Sequence, residues 1–464
     1  MVVLGEIWYF STPSRMLSSP ISMPEKIDLL VEARWIAPVE PDALLTNHAL
    51  AVNGHRIVDL LPANEAHMRY EADEHIQLPN HLLIPGLINL HTHAAMSLMR
   101  GMADDLPLMD WLQKRIWPAE AAHVSSDFVR DGTLLACAEM LKGGITCFND
   151  MYFFQQAAAE AATQLGMRAA LGITIIDFPT AFASDADDYL AKGLAIRDQW
   201  LKHPLISFCL APHAPYSVSD AGFERVLTLS ELLGLPMHCH LHETSGEIKE
   251  SLERFGCRPI ARLKRLGLLG PNFIAVHAVH VDAGEIEELA RHGCSVAHCP
   301  TSNLKLASGV AHITAMAQSG INIGLGTDGA ASNNRLDILQ EMRHAALLEK
   351  VYSGDAASLP AHQLLTMATL NGARALGLDH VIGSLKPGKE ADFCAIDFSA
   401  PETQPCYNPI SHLVYVAGRE QVSHVWVAGK CCVRDKKLAF LPENDLNNTA
   451  SLWQNRLEIR PAGY

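Results

Sequence analysis

The chain has 464 residues, beyond the roughly 250–300 at which a single hydrophobic core stops growing, so a barrel-sized domain with a smaller companion is expected. With 48% hydrophobic and 19% charged residues it is neither a disordered nor a fibrous chain. A net charge of −15 argues against non-specific binding to nucleic acid or to an anionic membrane, and no apolar run approaches the roughly 18 residues of a membrane span.

Residues 1–25, rich in Ser and Pro, read as a loose arm with no basic segment ahead of its short apolar stretch, so not as a signal peptide; Met23 is an alternative start. From Glu25 to about His81 the texture is short and strand-like, a small antiparallel unit without a helical period, and Asn53-Gly54 between apolar runs signals a hairpin. After Pro85-Gly86 short apolar runs alternate with longer helical stretches. The runs lie at 86–93, 144–150, 167–176, 205–213, 235–243, 273–280, 294–300 and 321–329. Segments such as FERVLTLSELLG and DAGEIEELARHG between them carry helical spacing and a closing glycine. Eight such units predict an α/β fold, a (β/α)8 TIM-type barrel. Strand-like texture returns from Gly383, with a second hairpin at Ala428-Gly429-Lys430. The expected division is an arm at 1–25, a barrel at 85–382, and a composite β-sandwich domain built from 26–84 and 383–464. Eleven scattered cysteines, odd in number and without a CxxC, point to a reducing, cytoplasmic setting rather than a disulfide framework.

The polar residues cluster at the ends of the barrel strands. Strand 1 ends in His91-Thr92-His93, whose imidazoles two residues apart share a face. Strand 4 ends at His213, strand 5 carries His238, His240, His242 and Glu243, strand 6 carries His277 and His280, and strand 8 ends at Asp328. A single strand-end histidine is usually a packed residue. Five strands delivering His or Asp to the same end, where such barrels keep their active sites, suit a divalent transition metal, zinc first. Spacing leaves open which histidines of strands 5 and 6 take part.

The blocks PGLINLHTHAAMSLMRGMADDLPLMDWL, HLHET, VHAVH, CPTSNLKLASG, GLGTDGAASNN and NGARALGL resemble the amidohydrolase superfamily, and within it the 5′-methylthioadenosine/S-adenosylhomocysteine deaminase branch. The resemblance implies a single divalent ion held by His91, His93, His240 and Asp328. It implies Glu243, His277 and Asp328 as catalytic residues: Glu243 handling the ring-nitrogen proton, His277 beside the water, and Asp328 taking the water's proton. Trp111, Glu120 and His213 match its substrate contacts, together with Glu243 and Asp328. Two-metal members carry a bridging lysine at the end of strand 4; here APHAPYS stands there, which favours one ion. His238 is assigned to packing, and His242 to the loop or to a supporting place behind the ligands.

Gly324–Gly329 fits GxGxxG literally, but it closes the eighth βα unit, whereas a dinucleotide fingerprint opens the first. The HxE and PCxxC signature of the cytidine deaminases is missing. Met96, Met99, Met102 and Met109 read as core, with a soft pocket wall as the alternative. The resulting expectation is a hydrolase releasing ammonia from a purine nucleoside small-molecule substrate, 5′-methylthioadenosine ahead of S-adenosylhomocysteine, because strand 3 and its loop (GITIIDFPTAFASDADDYL) offer no cation to a carboxylate tail. The rivals are a guanine or other aromatic deaminase, a triazine-type hydrolase, or a non-catalytic scaffold barrel. No nucleic-acid or membrane partner is expected, and a homo-oligomer is left open.

Overall fold

A computed structural model describes residues 23–458. The arm expected at 1–25 lies almost wholly outside the described residues. At its end Glu25 already begins the first strand.

The chain opens with β1 (Glu25–Ile36), β2 (Leu45–Asn53), β3 (Arg56–Pro62) and β4 (Tyr70–Pro85). Gly54, at φ +60°, makes the expected turn between β2 and β3. Two features depart from the expectation of an antiparallel unit without helix. β4 runs parallel to β1, and the crossover carries the helix Ala63–Arg69. A parallel neighbour needs a connection longer than a hairpin turn, and this helix buries Ala66 on the sheet face that holds Leu30 and Ala49.

Eight barrel strands follow: β5 (Leu87–Thr92), β6 (Ile145–Tyr152), β7 (Arg168–Ile175), β8 (Ile206–Pro212), β9 (Met237–Leu241), β10 (Phe273–His277), β11 (Ser295–His298) and β12 (Asn322–Leu325). They pair in sequence order, all parallel, and are buried almost throughout, as a sheet covered on both faces must be. The ring closes between β12 and β5. Asn89 and Thr327 exchange side-chain and backbone bonds of 2.7 and 2.9 Å, and the Asp328 N–H donates to the His91 carbonyl at 2.9 Å. A Cβ on Gly326 would fall 2.9 Å from the His91 backbone nitrogen, so the glycines of this GxGxxG serve ring closure.

The last strands are β13 (Phe393–Asp397), β14 (Val422–Val427), β15 (Lys430–Arg434) and β16 (Lys437–Leu438). Ala428 and Gly429 take positive φ and form the expected hairpin turn. β13 pairs with β4, so the N- and C-terminal strands form one mixed eight-stranded sheet. Phe393 stacks on Trp426 at 4.4 Å against Leu29, Val31 and Leu50; burying each such ring contributes about 2–3 kcal/mol. The chain end does not stay with this sheet. Helix Glu443–Glu458 packs on the barrel helix Ser126–Lys142, where Trp453 meets Phe128 edge-on and donates to Asp131 at 2.9 Å. Sheet and barrel are also pinned at the foot of β7, where buried Arg168 binds Asp392 at 3.1 Å and Glu390 at 3.3 Å.

Candidate active site

At the carboxyl ends of the barrel strands, His91 and His93 leave β5, His240 leaves β9, and Asp328 sits in the turn after β12. The Nε2 atoms of His91 and His93 each lie 3.2 Å from Asp328 Oδ1, and His240 Nε2 lies 3.2 Å from His91 Nε2. His91, His93 and His240 form one group of close potential ligands, and His91, His277 and Asp328 form a second that shares His91.

Their other polar atoms are committed elsewhere. His93 Nδ1 donates to the Met151 carbonyl at 2.6 Å, and His240 Nδ1 to the His213 carbonyl at 2.9 Å. His91 Nδ1 faces His238 Nε2 at 2.9 Å. Asp328 Oδ2 accepts from the hydroxyls of Ser302 (2.7 Å) and Ser332 (2.8 Å), and Asp328 Oδ1 accepts from the Gly329 N–H (2.7 Å). The bonds at the far nitrogens fix each ring with Nε2 pointing inward, which is how imidazoles are prepared for a metal. Three imidazoles and one carboxylate fit a divalent transition ion with an open position. Asp328 is held in the left-handed region (φ +60°), as is His277 (φ +70°), strain that clusters where side chains must be aimed.

The proton-handling groups stand beside this point. Glu243 Oε2 lies 3.8 Å from His277 Nε2, and His277 Nδ1 donates to Asn303 Oδ1 at 2.9 Å. Burial pushes the Glu243 carboxyl above its ordinary value, the direction a proton donor requires. The buried carboxylate of Glu247 accepts the backbone N–H groups of His242 (3.0 Å) and Glu243 (2.9 Å), fixing the turn that presents Glu243.

A cavity of about 630 Å³ opens over the cluster. Trp111, Glu120 and His213, carried over from the sequence, all line it with Glu243, His277 and Asp328. Trp111 and Glu120 come from a helical segment, Leu108–His123, interrupted by a π-helical turn at Leu112–Ile116; such wide turns often mark binding sites. The Tyr152 hydroxyl donates to Glu120 at 2.7 Å, and burial raises the Glu120 carboxyl despite that bond. Met96 lines the cavity and Met99 is core, whereas Met102 and Met109 are exposed, so the four methionines do not act as one set.

Sequence reasoning did not bring out Ser302, Ser332, Asn303, Tyr152 or Glu247. Ser302 and Asn303 lie inside the quoted CPTSNLKLASG block, which was a findable signal; Tyr152 had none. His238, assigned to packing, contacts the His91 imidazole. His242 is a loop residue as expected, clamped between the His280 carbonyl (3.0 Å) and the Ile260 N–H (3.2 Å).

The fold and the site together define a barrel hydrolase of the metal-dependent kind. The amidohydrolase family model matches residues 82–432, and the chain belongs to that family. A 5-methylthioadenosine/S-adenosylhomocysteine deaminase from Saccharophagus degradans is 48% identical over 436 residues, covering 94% of this chain and 98% of that protein. The crystal structure of an adenosine deaminase from Xanthomonas campestris with bound zinc superposes with a TM-score of 0.93 at 48% identity, over 94% of this chain and 100% of that one. An atrazine chlorohydrolase from Arthrobacter aurescens shares the fold at a TM-score of 0.85 but only 23% identity, over 92% of this chain and 100% of that one. Among the described residues no helix is long and apolar enough to cross a membrane.

Proposed function

We propose that the protein is a zinc-dependent deaminase of adenine nucleosides, taking 5′-methylthioadenosine best and S-adenosylhomocysteine or adenosine more weakly. The observation that carries this is the placement of Glu243, His277 and Asp328 around the three-histidine point, at the floor of a cavity whose walls hold Glu120 and Trp111. The relatives' names support the substrate class.

Held by His91, His93, His240 and Asp328, the ion would polarise a water and lower its pKa towards about 7. Asp328 would accept a proton from the attacking water, while the hydroxyls of Ser302 and Ser332 on its Oδ2 hold the carboxylate in register. The water oxygen attacks C6 of the purine. Glu243, whose carboxyl burial pushes above its ordinary value, delivers a proton to N1 as charge builds on the ring. His277, its Nδ1 committed to Asn303, points Nε2 towards the attacking oxygen and stabilises the transition state. The proton on Asp328 passes to the amino group, the C6–N bond breaks as ammonia leaves, and the remaining hydroxyl proton on C6 returns to Glu243, leaving a carbonyl at C6. Glu120 is positioned to accept from the ribose hydroxyls, which favours a nucleoside over a bare base. A cytoplasmic setting fits eleven cysteines that are all unpaired thiols.

The test is ammonia release by the zinc-loaded enzyme from 5′-methylthioadenosine, S-adenosylhomocysteine, adenosine, adenine and guanine, with chloride release from a chlorotriazine measured beside it. Turnover confined to the three nucleosides supports the proposal. Preference for guanine, adenine or the triazine overturns it.

A further inference from the structure

Away from the barrel mouth, on the mixed sheet, a second group of potential ligands meets at one atom. Glu32 lies on β1, His75 on the parallel neighbour β4, and His67 on the helix that connects the strands of this face. In the β1–β4 register His75 stands opposite Leu30, so Glu32, two residues further along β1, shares its face. Ala66, beside His67, is packed on that face, which brings the imidazole over the strand pair. His75 Nε2 lies 2.5 Å and His67 Nε2 2.8 Å from the same oxygen, Glu32 Oε1, and the two rings stand edge to face at 5.2 Å.

Two imidazoles sharing an acceptor would normally divide themselves between the two oxygens of a carboxylate, which offers about four lone-pair directions. Both crowd onto Oε1 here, and among the described residues Oε2 takes no hydrogen bond. The same convergence of Nε2 atoms on one carboxylate oxygen marks the cluster of His91, His93 and Asp328. The Glu32 side chain is 18% exposed and those of His67 and His75 are 49% and 34% exposed, so water has access to complete a coordination shell.

We propose that Glu32, His67 and His75 form a second divalent-cation site, distinct from the catalytic centre, that takes zinc or a similar borderline ion. Two imidazoles and one carboxylate select such an ion over magnesium or calcium, which want oxygen ligands. Because it is solvent-facing and has three protein ligands, the site holds its ion more loosely than the buried four-donor centre. Its effect is structural: the ion ties β1, β4 and the intervening helix together, and a ligand bound by the folded state alone raises its stability. A zinc content of two per chain in zinc-rich preparations then reflects two separate mononuclear sites, not a bimetallic centre.

The experiment starts from holoenzyme passed over a chelating resin so that only tightly held zinc remains. Titration with zinc, followed by calorimetry and elemental analysis, takes the wild type from one to two equivalents with a micromolar Kd. Its Tm rises by several degrees over the same range. The double variant His67→Ala, His75→Ala keeps one equivalent and wild-type ammonia release, and its Tm no longer responds to zinc. Glu32→Gln, which preserves shape, weakens the second equivalent at least tenfold. A wild type that saturates at one equivalent overturns the proposal. So does a double variant that takes up the second equivalent unchanged.

Discussion

His91 Nδ1 and His238 Nε2 face each other at 2.9 Å in the fully buried floor of the barrel, one residue step below the point where His91 presents its other nitrogen. We propose that the contact makes His238 an orienting partner of His91, one of the imidazoles proposed to hold the ion. A residue in this position sets ring orientation and basicity, and its loss typically costs about 10–100-fold in metal affinity or activity. His238→Phe is therefore expected to fold, with zinc dissociation accelerated and kcat/KM reduced by about that factor. Zinc release to a chromogenic chelator checks this. Unchanged release together with a large fall in Tm would return His238 to packing.

Asp328→Asn is expected to leave the fold intact and to lower ammonia release by about 10²–10⁴-fold. The amide retains an oxygen for the ion but cannot accept the water's proton, and its NH2 group would have to face either the metal point or the hydroxyls of Ser302 and Ser332. Zinc content and steady-state kinetics on the purified variant separate loss of metal from loss of chemistry. Near-normal turnover would remove Asp328 from the base role.

Much of this centre was legible because β geometry is local. A period of two puts His91 and His93 on one side of a strand, and eight runs spaced by helices can be counted without knowing their partners. Pairing across the chain is not local in that way. The parallel association of β1 with β4 depends on a face of apolar residues that an antiparallel partner would cover as well, and the docking of Trp453 on Phe128 joins segments more than three hundred residues apart. The contact of His238 with His91 was not legible for a related reason: it depends on the distance to a residue on another strand, whereas the neighbours of His238 in sequence say only that it points inward. The resemblance supplied Trp111 and Glu120, but not the π-helical turn that carries them towards the cavity.

Glu139, near the end of the helix Ser126–Lys142, gathers three partners from distant segments. Arg100 forms an ion pair with it, Arg419 donates to it at 2.8 Å, and the Leu336 N–H donates to it at 3.1 Å. Burial alone would raise its carboxyl, but the two guanidinium groups outweigh burial and hold it below the ordinary value of 4.5. A carboxylate with a depressed folded pKa stabilises fully above its unfolded pKa and loses that contribution as pH falls through the folded value. Glu139→Gln should cost about 3 kcal/mol at pH 7, and the gap to wild type should close below about pH 4. Urea unfolding at pH 7 and in acid measures both; a gap independent of pH would mean that shape, not charge, is what Glu139 contributes.

The substrate's 5′ tail gives the sharpest distinction. Beyond β7 the cavity wall is Ile176, Phe178, Pro179, Thr180 and Ala181, apolar but for one hydroxyl, and no Lys or Arg lines the cavity among the described residues. Arg168, the one cation of that strand, is committed to Asp392 and Glu390 at the opposite end of the barrel. The three acids after the loop count for less than their charges suggest. Asp185 caps its own helix, Asp187 faces Arg225, and Asp188 pairs with Lys192 at 2.8 Å. The preference therefore rests on the apolar wall: burying a methylthio group there contributes about 1–2 kcal/mol, while a carboxylate gains no charge-assisted bond in compensation. The nearest alternative is Arg254, in a groove that shares Trp117, Phe178 and Tyr216 with the cavity. It is exposed and already bound to Glu250 at 2.7 Å and to the Tyr216 carbonyl at 3.1 Å. We expect kcat/KM for 5′-methylthioadenosine to exceed that for S-adenosylhomocysteine by about tenfold, the equivalent of 1.4 kcal/mol, and Arg254→Ala to leave the ratio unchanged. A preference for S-adenosylhomocysteine that disappears in Arg254→Ala would place the tail in that groove and defeat the apolar-wall account.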